Sequence, residues 1–110
     1  MVRTICAAFA LSLLSGCAMS AEGLGRSAPE DTYYSTKPAV ELAGCVASRL
    51  IGTNPAFQQE SGHWVVTRTN GYGVPVVRWD FIDQTDGETR VEFRRSLAPM
   101  AGEEKAASCF

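Results

Sequence analysis

The sequence is poor in the groups that most catalytic and metal chemistry needs. It holds one histidine, His63, so any Ser/His/Asp or Cys/His arrangement would have to be built on that residue. Its four cysteines include no CxxC spacing, which argues against a thioredoxin-type redox centre and a zinc site. No stretch is strongly basic, and ten Lys and Arg face twelve Asp and Glu, so binding of nucleic acid by phosphate neutralisation is not expected. The longest apolar run, residues 4–14, falls well short of the roughly 20 residues of a membrane-spanning helix. Asn70-Gly71-Tyr72-Gly73-Val74 is rich in glycine but lacks the Lys-Ser/Thr of a phosphate loop and leads into no helix, so it reads as a turn. No internal repeat and no cofactor motif is visible. A chain of 110 residues is one domain at most.

What is present begins with the leader. Met1-Val2-Arg3 supplies a positive charge, residues 4–14 are apolar or small, and Leu14-Ser15-Gly16-Cys17 follows. A basic start, a short apolar run and a small-residue exit together read as a secretory signal. The exit resembles the lipobox of bacterial lipoproteins: an aliphatic residue, two small residues and a cysteine. That resemblance covers the leader alone. It implies cleavage before Cys17, a diacylglycerol on its sulfur and acylation of the new amino group. Two or three acyl chains anchor firmly, because each buried methylene contributes about 0.8 kcal/mol. The residue after the cysteine is Ala18 rather than Asp, which in Gram-negative lipoproteins of this kind implies sorting to the outer membrane. The alternative is an ordinary leader cut near Ala18 or Ala21, which leaves a soluble protein.

Cys6 would leave with the leader and Cys17 would carry lipid. Cys45 and Cys109 then remain as one pair in an oxidising compartment, where small domains use disulfides to supplement thin cores. An internal bond would close a loop of about 64 residues, for which chain entropy gives about 4 kcal/mol as an upper figure. Free thiols or pairing between molecules are the alternatives.

Residues 17–36 are rich in Ser, Gly, Ala and acidic side chains and show no apolar period, so they read as a lipidated flexible tether. Tyr33 and Tyr34 are the exception, and either pack on the domain edge or form a weak contact site. Residues 37–110 make a single small domain. A helix is expected over residues 38–51. Ala39, Leu42, Ala43, Val46 and Leu50 share one face, with Pro38 in the first turn, Ser35 or Thr36 capping nearby, and Gly52 and Pro55 stopping the chain. Residues 53–62 look polar and irregular.

Three strands follow, over residues 63–69, 74–82 and 88–95, joined by turns at Asn70–Gly73 and at Asp86-Gly87. Trp64, Val66, Val77, Trp79, Phe81, Val91 and Phe93 share one face, which the helix should cover. A second, short helix is expected over residues 98–110. The fold class is α+β: an N-terminal helix packed on a three-stranded antiparallel meander, then a short C-terminal helix. This order is similar to that of small bacterial lipoproteins of unknown function, a resemblance that assigns no activity.

His63, at the start of the first strand, reads as a solvated strand-end histidine. Asp80, Asp83, Asp86 and Glu88 are the densest acidic group, but their spacing does not match an EF-hand loop, and a solvated hairpin turn accounts for them. Arg78, Arg90 and Arg94 fall on the outer sheet face with Arg68 and Arg95 nearby, interleaved with Asp80, Glu88 and Glu92. Cross-strand ion pairs are the default for such a set. A recognition surface for an anionic partner, such as lipid A phosphates or an acidic protein, is the sharper alternative. The sequence therefore points to a non-catalytic, lipid-anchored protein of the bacterial envelope. It would face the periplasm and use Tyr72 and that arginine face for contact. A small-ligand or peptide-binding module at an open sheet edge is the other reading.

Overall fold

In the computed structural model, which describes residues 20–50, 52–96 and 103–110, side-chain alternation builds one antiparallel sheet of five strands. The strands are β1 (Asp31–Ser35), β2 (Phe57–Glu60), β3 (His63–Thr69), β4 (Pro75–Asp83) and β5 (Thr89–Arg95). Their order across the sheet is β1-β5-β4-β3-β2. Strand β4 is central and the longest, and its Val77, Trp79 and Phe81 pair with Arg68, Val66 and Trp64 of β3. On the other side the same three residues pair with Arg95, Phe93 and Val91 of β5.

The helix α2 (Ala39–Arg49) covers this apolar face. Its Ala39, Leu42, Ala43 and Val46 are buried against Val66, Val77, Trp79, Phe81, Val91 and Phe93. Fully burying a side chain of this size contributes about 1.5–3 kcal/mol, so this layer is the main source of stability. Expected caps Ser35 and Thr36 do not serve the first turn of α2. The Ala39 N–H is instead taken by Asp83 Oδ1 at 2.9 Å, reaching over from the end of β4. Ser35 accepts from the Lys37 N–H at 3.2 Å.

The sheet is wider than the three-stranded meander expected from the pattern. Residues assigned to a tether contain α1 (Ala21–Arg26) and β1, and β1 runs antiparallel to β5 from Asp31 opposite Phe93 to Ser35 opposite Thr89. Residues read as irregular contain β2, which returns through Ser61-Gly62 into β3, with Gly62 at φ +74° where an L side chain would be strained. Helix α1 is capped by Ser20, whose Oγ accepts from the Gly23 N–H at 3.0 Å. It lies across β4 and β5 on the face opposite α2 and buries Leu24.

The C-terminal helix ends earlier than expected. Its described part is α3 (Glu103–Ala107), and residues 98–102 of the expected helix lie outside the described residues. Cys109 is bonded to Cys45 of α2, closing the expected 64-residue separation within one chain. The end of the chain is tied further. Lys37 Nζ donates to the Cys109 carbonyl at 2.8 Å, Ser35 Oγ to the Phe110 carbonyl at 3.2 Å, and the Phe110 ring packs 5.1 Å from that of Tyr33. Among the described residues no helix is long and apolar enough to cross a membrane. The leader and Cys17 lie outside the described residues.

Candidate interaction surface

The sheet face beneath α1 carries the molecule's charge chemistry. Alternation sends His63, Val65 and Thr67 of β3, Arg78, Asp80 and Ile82 of β4, and Arg90, Glu92 and Arg94 of β5 to this side. Asp80 is its centre and only 2% exposed. Arg78 grips it with two hydrogen bonds, Nε to Oδ2 at 2.9 Å and Nη2 to Oδ1 at 2.8 Å. Arg94 Nη1 donates to Oδ2 at 3.0 Å, and His63 Nε2 lies 2.7 Å from Oδ1. Because a carboxylate only accepts, His63 carries its proton on Nε2 there. Burial works against the charge of Asp80. The hydrogen bonds from Arg78 and His63 and the positive charges of Arg78 and Arg94 outweigh it, and hold its carboxyl below the usual carboxylate range.

The same groups hold the neighbouring elements. Arg94 Nε donates to the Ser27 carbonyl just after α1 at 2.8 Å, and its Nη2 reaches Glu92 at 3.0 Å. Arg78 Nη2 also donates to Gln59 Oε1 at 2.8 Å. Gln59 can do this because the β2–β3 register shifts between Gln58 and Glu60, which turns its side chain over the sheet. Gly25 of α1 rests on the Arg78 guanidinium, where a Cβ would stand 2.8 Å from Cζ. A cluster of this kind left open to water would be a set of weak ion pairs. Under α1 it is a buried, hydrogen-bonded hub.

This placement revises the expected contact surface. Arg78 and Arg94 are 4% and 8% exposed, so they are structural groups beneath α1. Arg90 is half-buried, with Nε 3.1 Å from Glu92 and Nη1 3.5 Å from Gln84. Tyr72 alone of the four projects fully, at 93% exposure, from a turn held by Asn70 Oδ1 accepting from the Tyr72 and Val74 N–H groups. His63 is not a solvated strand end but a partly buried member of the hub. The acidic group disperses: Asp80 is in the hub, Asp83 caps α2, and Asp86 Oδ1 accepts from the Glu88 N–H within its turn at 2.9 Å. Among the described residues no group of three His, Cys, Asp or Glu side chains is arranged to hold a metal.

Two features were missed at the level of sequence. One is a cleft of about 710 Å3 between α1 and β2, lined by Glu22, Arg26, Phe57, Gln58, Gln59 and the Arg78 side chain. The other is the exposure of Phe57 on β2; Tyr34 on β1, left between packing and surface contact by the sequence, is exposed as well. The β-prone run Thr32-Tyr33-Tyr34 and the Ser61-Gly62 turn were the available signals for these strands. No family model matches the chain, and comparison with curated proteins and with solved structures finds no similar chain.

Proposed function

We propose that this chain is a non-catalytic, lipid-anchored protein of the bacterial envelope that works by contact with another envelope component. The observation that carries the reading is Leu14-Ser15-Gly16-Cys17 after a short apolar run. The Cys45–Cys109 disulfide supports it, because such bonds persist outside the reducing cytosol. Acyl chains on Cys17 would hold the domain at the periplasmic face of the outer membrane. Only residues 18 and 19 separate that anchor from the Ser20 cap of α1. At about 3.5 Å per residue, the domain would sit within roughly 10 Å of its lipid. The tether read over residues 17–36 would then reduce to the stretch before α1. Exposed Tyr72 at one end of the sheet and half-buried Arg90 at the other, opposite Ile82, offer separate contact points, and an envelope protein or an anionic group is the partner these side chains suit.

A photo-crosslinking amino acid at position 72, in whole cells, tests this. Capture of one reproducible envelope partner from position 72, and not from exposed Val40 on α2, supports the reading. Equal, indiscriminate capture from both positions contradicts it.

The cleft between α1 and β2 favours a second reading, a small-ligand or peptide-binding module. Exposed Phe57 gives it an apolar wall, and Glu22 and Arg26 give it charges of both signs. Extended peptides added to the mature protein should then slow amide exchange in β2, and a Phe57→Ala variant should lose that protection.

A further inference from the structure

The two edges of the sheet are not equivalent. Strand β2 has four residues, its register is broken between Gln58 and Glu60, and Gln59 is drawn inward to Arg78. Short length and a bulge are features that protect an edge against further pairing. Strand β1 has neither. All five of its residues keep an unbroken register with β5, and Pro29 and Pro38 flank it without interrupting it. Its Tyr33 and Tyr34 are 37% and 61% exposed and point to opposite faces of the sheet. No further strand lies outside it among the described residues.

The charges flanking β1 are self-complementary. Asp31 stands at its start and Lys37 follows its end, both exposed; neighbouring Glu30 is held by Arg95, and Lys37 Nζ spends one of its three N–H donors on the Cys109 carbonyl. Pairing two such strands antiparallel sets each acidic end beside the other's lysine, whereas parallel pairing sets like against like. From these observations we infer that β1 is the edge through which two copies of this chain associate, antiparallel and centred on Tyr33. A two-fold axis normal to the sheet keeps both copies' α2 layers on the same side. All five residues then pair, with Tyr33 opposite the partner's Tyr33, Thr32 opposite the partner's Tyr34, and Asp31 opposite the partner's Ser35. Asp31 and the partner's Lys37 become diagonal neighbours about 7–8 Å apart, within reach of a lysine. Tyr33 already rests on the Phe110 ring, so it enters the interface positioned. The result is one continuous sheet with an isologous interface. Nothing in this inference uses the lipid, so it stands or falls apart from the proposed anchor.

The test uses the full chain with its disulfide formed, in a mild detergent kept in excess over protein. Sedimentation across a concentration series should show a monomer–dimer equilibrium. Photo-oxidative tyrosine coupling followed by peptide mass analysis should place the intermolecular link at Tyr33 and Tyr34, and not at the far more exposed Tyr72. Asp31→Lys and Lys37→Asp should each weaken the dimer about tenfold, and the double variant should restore it. A chain that stays monomeric throughout overturns the inference. So does a dimer that links through Tyr72 or ignores both charge reversals. Should either single variant fail to fold, the linkage map of the unaltered chain decides the matter alone.

Discussion

Gly25 sits so close to Arg78 that a methyl group there would lie 2.8 Å from both Cζ and Nη1 of the guanidinium. That guanidinium cannot swing aside freely, because Asp80 and Gln59 hold it. Gly25→Ala should therefore lower stability by about 1–3 kcal/mol, although alanine is the better helix former. Gly44, on the exposed side of α2, meets nothing within 4 Å of the same added atom. Gly44→Ala should stabilise by about 0.5–1 kcal/mol. Thermal unfolding of the two variants side by side checks the opposite signs.

Asp80 gives the hub a defined response to acid. Its carboxyl titrates below the ordinary value in the folded chain, so its contribution is present in full above the usual carboxylate range, near pH 4. The contribution is lost as pH falls through that range toward the lower folded value. Melting temperature should fall between about pH 5 and pH 3. Asp80→Asn should flatten that part of the fall while lowering stability at pH 7 by about 3–5 kcal/mol, because it leaves Arg78 and Arg94 buried without their counter-charge. Melting curves of both proteins across this interval are the check.

The Cys45–Cys109 bond joins α2 to the residue just before Phe110. Cys45→Ser should cost up to about 4 kcal/mol and expose Cys109, now 1% accessible, to alkylation. Amide exchange should show the loss first in α3 and at the end of β1, where Ser35 and Lys37 hold the terminal carbonyls. Unchanged melting in the variant would show that the bond does not staple the fold.

The parts of the fold that sequence made legible are those governed by local alternation. Trp64, Val66, Val77, Trp79, Phe81, Val91 and Phe93 do share a face, and Ala39, Leu42, Ala43 and Val46 do cover it. Strand β1 was missed because it pairs with β5, fifty-eight residues or so along the chain, and because Tyr34 faces water while Tyr33 packs on Phe110, a contact no local pattern shows. The two glycines of α1 hid a helix whose purpose is close approach to Arg78. The hub was misread for a related reason. Arg78, Asp80 and Arg94 have the composition of a solvated face, and only the long-range placement of α1 over them makes it a buried one. Tyr72 needed no such partner, and its exposed turn was readable from Asn70 and the glycines around it.

The central claim is the anchor at Cys17, and the mass of the N-terminal peptide from the protein's native host tests it most directly. The account predicts a chain recovered with the outer membrane that begins at Cys17 and carries a diacylglycerol on sulfur and a fatty acyl group on nitrogen. A chain recovered from the cytosol with residues 1–16 intact and an unmodified Cys17 would contradict it.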